Sequence, residues 1–170
     1  MDSPQNQINN ILHIWVDADS CPSLVRDYLI RYAAKLSLKV TFVANKQIST
    51  KEKAPFEMII CSAEKDAADN YIFDHASQND LVITRDIVFA QRLVEKQITT
   101  INDRGTVFTK ENIGPMITER NYNLQLAEMG LVKHYNEGYD KKKFSAFANC
   151  FDKTVHQKLA TLPRLGKQSE

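Results

Sequence analysis

Leu12-His13-Ile14-Trp15-Val16-Asp17-Ala18-Asp19-Ser20-Cys21-Pro22 is the stretch whose reading decides the fold. An apolar run, Ile14 to Val16, stops at two carboxylates, Asp17 and Asp19. Pro22 follows, and proline is favoured at the first position of a helix. Leu24, Tyr28, Leu29, Tyr32, Ala33 and Leu36 then recur with helical period. A buried strand that delivers acids at its C-terminal end, just before a helix, is the arrangement by which open α/β sheets build their sites.

The same alternation continues downstream. The spacing predicts strands over Leu12–Asp17, Lys39–Ala44, Phe56–Cys61, Asp80–Thr84 and Ile98–Ile101. Helices are predicted over Pro22–Leu36, Lys65–Ser77 and Ile87–Glu95. A polar loop with Lys46, Lys51 and Lys53 joins the second strand to the third. After Asp103-Arg104-Gly105 the pattern turns helical, over Lys110–Met129, with Gly114-Pro115 as an interruption and Gly130 as a C-cap. A polar connector, 133–140, leads to a last helix whose stripe is Phe144, Phe147, Phe151, Val155, Leu159 and Leu162. The expectation is an α/β fold in three layers: a mainly parallel central sheet of about five strands flanked by helices. Residues 1–11 are expected to be a flexible lead-in, 12–162 one domain including the C-terminal helices, and 163–170 a tail.

Composition excludes several classes. Of 170 residues, 43% are hydrophobic and 25% charged, an ordinary globular balance that can supply a core. No apolar run approaches the roughly 18 residues of a membrane helix. The polar N-terminal stretch lacks a signal-peptide core, so a cytoplasmic protein is expected. The three cysteines form no C-x-x-C pair, which excludes a zinc ribbon or thioredoxin motif. Cys61 and Cys150 read as small core hydrophobes. Cys21, at a helix start, is where the dipole can lower a thiol pKa, although a structural role fits its place better. The histidines show no pair at metal-ligand spacing, and neither G-x-G-x-x-G nor G-x-S-x-G occurs. Net charge is +1, but from Arg120 onward nine basic residues face five acidic ones. That bias suits either a solvated helix face or an anionic partner.

The remaining signal is acidic. Asp17 and Asp19 end the first strand, Asp66 and Asp69 lie three apart on one helix face, and Asp86 follows the fourth strand in V-I-T-R-D. Strands one and four can be neighbours in a parallel sheet, so these acids would open on one edge. Carboxylates gathered there repel unless a cation neutralises them, and hard oxygen ligands suit Mg²⁺ or Mn²⁺. Such an ion activates water and offsets charge on a phosphodiester. Asp27 and Asp80 read as surface and turn residues, and Asp66 as a first-turn helix acid. Ser20 and Thr84 could orient ligands or serve ordinary turn and capping chemistry, and Arg85 and Arg104 could meet phosphate or pair with neighbouring acids.

Taken together, V-D-A-D-S-C-P (16–22), F-V-A-N (42–45), D-A-A-D-N-Y-I (66–72), D-L-V-I-T-R-D-I (80–87), D-R-G (103–105) and F-x-x-x-F-D-K (147–153) resemble the YaiI/YqxD family of small bacterial proteins of uncharacterised function. The resemblance covers about residues 12–160 and implies a PIN-like nuclease fold. It implies metal-holding, catalytic acids at Asp17, Asp69 and Asp86, with Asp19 as a fourth ligand. Ser20, Asn45, Thr84, Arg85 and Arg104 are the candidate substrate-binding residues of this reading. The chain departs from the pattern at His134–Gly138, where a glycine- and proline-rich turn is usual, and at Asn102-Asp103, which replaces a proline-containing approach.

Three functions compete on this reading. The first is a Mg²⁺- or Mn²⁺-dependent nuclease acting on single-stranded RNA. The second is a haloacid-dehalogenase-type phosphatase, whose nucleophilic first Asp of D-x-D would be Asp17. Against it, the hydroxyl expected two residues after the second Asp is replaced by Cys21, with Pro22 next, and only one late acid, Asp86, is present. The third is a non-catalytic RNA- or protein-binding module that uses Lys141–Lys143 on the last helix.

Overall fold

The computed structural model describes residues 12–132 and 138–162. The expected lead-in (1–11), the tail (163–170) and most of the connector that departs from the family pattern (133–137) lie outside the described residues. The strands are β1 (His13–Asp17), β2 (Lys39–Ala44), β3 (Glu57–Ile60), β4 (Leu81–Ile83) and β5 (Thr99–Ile101). The helices are α1 (Ser23–Leu36), α2 (Ala67–His75), α3 (Ile87–Glu95), α4 (Lys110–Glu128) and α5 (Lys141–Thr161). The strands form one sheet in the order β3-β2-β1-β4-β5, and every pairing is parallel. β1 is the central strand, with Val16 opposite Phe42 on one side and Ile83 on the other.

This order has one reversal. From β1 the chain winds outward through β2 to β3, then crosses back over the sheet through α2 to β4 and β5. The crevice between β1 and β4 is therefore a topological switch point, where α/β sheets collect ligands at their C-terminal ends.

Alternation along β1 assigns its two faces. Ile14 and Val16 pack on one side with Phe42, Leu29, Ile30, Phe147, Phe151 and Val155, so α1 and α5 cover that face. Tyr28 and Tyr32 meet Phe151 edge-on, and Tyr32 Oη donates to Asp152 at 2.7 Å. Trp15 points the other way, into Val43, Ile72, Val82, Phe89 and Leu93, under α2 and α3. α4 is an outer helix, packed on α3 through Ala90, Val94, Phe108 and Ile113.

Boundaries of β2 and α3 fall where the spacing put them; the other differences have local causes. α2 is shorter than predicted because Asp66 takes a left-handed φ of 62° and the helix starts only after it. Gly114-Pro115 does not interrupt α4, although Pro115 is its sixth residue and gives up one intrahelical bond. The capping box of Thr109 and Asn112 secures that start. Gly130 (φ 71°) closes α4 in a Schellman motif, with Gly130 N–H bonded to Ala127 O and Leu131 N–H to Leu126 O. On α5, Leu159 is exposed rather than part of the buried stripe.

Asp80 corrects the surface-turn reading. It is buried, and its Oδ2 accepts from Trp15 Nε1 at 3.0 Å and from the Ser77 amide at 2.9 Å. Asp27 is half-buried and accepts from Thr50 Oγ1 at 2.7 Å. No described helix is long and apolar enough to cross a membrane.

Candidate functional site

At the C-terminal ends of β1 and β4 lies an open pocket of about 290 Å³. Its walls include Asp17, Asp19, Asp66, Asp69 and Asp86, together with Ser20, Asn45 and the loop Ser62–Lys65. The acids of the first strand end, of the crossover helix and of the β4–α3 turn thus share one pocket.

Asp17 is the last residue of β1 and lies on the same face as Trp15, toward α2. It is 9% exposed, and Thr84 Oγ1 donates to its Oδ2 at 2.9 Å. Thr84 is itself held by its amide on Ile101 O, and its hydroxyl accepts from the Asp86 amide. Burial raises the Asp17 carboxyl from 3.8 to about 6, and the charges of Asp19 and Asp86 push the same way against the Thr84 bond. Asp69, in the first turn of α2, rises to about 7. Burial is the main cause, followed by the charges of Asp17, Asp86 and Asp66, with Arg92 opposing. A helix N-terminus ordinarily favours an anion; here crowding by other acids outweighs it.

Asp86 has two duties. As N-cap of α3 it accepts from the Phe89 amide at 3.1 Å through Oδ1, while its side chain borders the pocket. Asp19 is exposed and fixed by the Asn45 amide at 2.9 Å. Asp66 stands at the rim as a non-glycine residue in the left-handed region, a conformation that functional loops often carry.

Arg85 and Arg104 do not border this pocket. Arg85 Nε donates to Asp103 Oδ2 at 3.0 Å, and its Nη2 donates to the same oxygen. Asp103 is buried, its main-chain carbonyl accepts from Tyr139 Oη at 2.6 Å, and its Oδ1 has no partner among the described residues. Asp17, Ser20, Cys21, Thr84, Arg85 and Asp103 enclose a separate cavity of about 10 Å³, room for roughly one water. Arg104 is exposed, and its amide donates to Asn102 Oδ1. Burial pushes the Cys21 thiol up to about 12, so desolvation overrides the helix dipole and the thiol is not activated. Cys61 and Cys150 are only half-buried, packed at the margins of the two main clusters.

Sequence reasoning missed the Ser62-Ala63-Glu64-Lys65 wall, whose one visible signal is a polar run between β3 and Ala67-Ala68-Asp69. It also missed Asp103 as the clamp on Arg85, because that pairing joins residues 18 apart in sequence.

The donor set is all carboxylate, which is the chemistry of hard divalent cations. Among the described residues, no three His, Cys, Asp or Glu side chains form a ready-made metal-binding group. The acids border an open pocket rather than converge on a point. An ion taken there would keep part of its water shell, as Mg²⁺ does.

The family model described as "Uncharacterized BCR, YaiI/YqxD family" matches residues 15–157. A "UPF0178 protein" of Treponema denticola is 38% identical over 148 residues, 87% of this chain and 94% of its own length. One from Treponema pallidum is 38% identical over 157 residues, covering 92% of this chain and 86% of its own. Another, from Myxococcus xanthus, is 34% identical over 153 residues, 90% of this chain and all of its own. None of these names states an activity. No solved structure matches the chain. The chain belongs to the YaiI/YqxD family.

Proposed function

We propose that this member of the family is a divalent-metal-dependent nuclease of PIN-like type that hydrolyses single-stranded RNA at the acid pocket. The observation that carries the reading is the pocket itself. Five aspartates from three separated chain segments border it at the switch point, and two of them are hard to ionise in each other's company. Asp17, Asp69 and Asp86 would hold Mg²⁺ or Mn²⁺, with Asp19 contributing through water. The bound ion would supply charge neutralisation at the phosphodiester and a more acidic water.

The chain's own residues do the rest. Thr84 fixes the rotamer of Asp17, and the Asn45 amide fixes Asp19. α3 holds Asp86 by its cap, so that acid cannot swing away from the rim. Lys65 and Ser20, both on the pocket wall, offer donors to a phosphate oxygen. Arg85, locked on Asp103, contributes by fixing the turn that carries Thr84 and Asp86.

Purified protein with labelled single-stranded RNA and Mn²⁺ tests the reading. Cleavage should require the metal and fall to background in Asp17→Asn. Undiminished cleavage by that variant would overturn it. Tight RNA binding with no metal-dependent turnover, lost on charge reversal of Lys141 to Lys143, would instead support the binding-module reading.

A further inference from the structure

Asp19 has a second pocket on its other side. This one is about 380 Å³ and is lined by Ala18, Asp19, Arg26, Ala44, Lys46, Gln47, Ile48 and Ser49, with Asp19 as the wall shared with the acid pocket. The two differ in charge. The acid pocket sets five aspartates and Glu64 against Lys65. Its neighbour sets Arg26 and Lys46 against Asp19 alone.

Among the described residues, neither Arg26 nor Lys46 lies within ion-pair distance of a carboxylate. Arg26 Nη1 donates to the Cys21 carbonyl at 3.1 Å, the one acceptor of its side chain among the described residues, where its buried Nε has no partner. A half-buried guanidinium normally meets carboxylate or phosphate oxygens, which match its fork of donors. A buried polar atom left unpaired in a folded protein calls for an explanation. Gln47 and Ser49 add neutral polar groups to the same wall. Asn45 and Lys46 are consecutive, so one turn after β2 presents Asn45 to the acid pocket and Lys46 to the basic one.

We propose that the Arg26–Lys46 pocket is a phosphate subsite, which takes the backbone phosphate adjoining the one presented to the acid pocket, so that a single strand lies across Asp19. This rests on the nuclease reading for the identity of the neighbouring site, but the subsite itself is metal-independent. Phosphate contacts position a strand without reading its bases. The consequence is sequence-tolerant binding to a flexible single strand that can bend over the Asp19 ridge.

The test is fluorescence anisotropy of a labelled short oligouridylate in EDTA, with a salt titration. Lys46→Gln changes one exposed loop residue and should fold as the wild type does. Arg26→Lys keeps the charge and controls for packing around Arg26. The expected result is binding weakened about tenfold in the Arg26→Gln/Lys46→Gln pair, and a salt slope reduced by about 1.4, at roughly 0.7 per cation lost. Arg26→Lys should retain most of the binding. Unchanged affinity and slope in the double variant would overturn the subsite. The two readings fail separately. Loss of binding in the double variant without metal-dependent cleavage by the wild type keeps the subsite and removes the nuclease. Metal-dependent cleavage with KM unchanged in the double variant removes the subsite and keeps the nuclease.

Discussion

Asp17→Asn should make the metal-free protein more stable at pH 8, although it removes the residue on which the proposed activity depends. The Asp17 carboxyl rises from 3.8 to about 6 because it is buried beside other acids. A carboxyl whose folded pKa is raised favours folding below about pH 4 and loses that contribution as pH climbs through 6. From 3.8 to about 6, at 1.36 kcal/mol per pKa unit, the folded state gives up about 3 kcal/mol once Asp17 is ionised. Asparagine is never ionised, and its amide oxygen can still accept from Thr84 Oγ1. The stronger Thr84 bond to the charged carboxylate is already contained in that shift, so the gain is about 3 kcal/mol. For a chain of this size that is roughly 6–12 °C in Tm. Melts followed by circular dichroism in EDTA should show the gain at pH 8 and most of it lost at pH 4, where the folded Asp17 is protonated and the unfolded carboxyl is only about half ionised. Added Mg²⁺ should raise the melting temperature of the wild type more than that of the variant. A variant that melts no higher at pH 8, or a gain of equal size at pH 4, would refute the electrostatic account of the pocket.

Two further outcomes follow from residues away from the pocket. Asp80→Ala leaves the buried Trp15 indole N–H and the Ser77 amide without their shared acceptor, and should cost about 2–4 kcal/mol. Trp15 is the sole tryptophan, so its fluorescence should report the change directly. Gly105→Ala should cost about 2 kcal/mol or more, read as a lower urea midpoint with unchanged slope. Gly105 has φ 85°, and an added Cβ would come within 2.5 Å of the Ala146 carbonyl oxygen.

The legible part of the fold was the part set by local periodicity. β2 and α3 could be bounded from sequence because each is a clean apolar pattern flanked by polar residues. The placement of Asp17 and Asp86 was legible for the same reason, since each directly ends or follows a buried strand. What failed was whatever depends on a partner distant in the chain. Asp80 looked like a turn acid, but its role is set by Trp15, 65 residues earlier. Arg85 could meet phosphate or pair with an acid, and it takes the fold to show that Asp103 holds it. Asp66 looked like an ordinary first-turn acid, and its left-handed backbone is invisible in composition. Lys46 shows in the sequence only as one of three lysines in a polar loop and Arg26 does not stand out at all; the parallel pairing of β1 with β2 sets them around one pocket.

The position of β1 at the centre of the sheet also bears on how the chain must be made. The strand carrying Asp17 leaves the ribosome before the other four described strands, yet Ile14 and Val16 are covered by Phe147, Phe151 and Val155 of α5. More than a hundred residues separate them. During synthesis the apolar strand must wait for its cover while the rest of the domain is translated, and such long-range closure is slow and open to aggregation. The polar Asp17 and Asp19, immediately after the apolar run, place charge beside that strand in the nascent chain, where it opposes association with other chains.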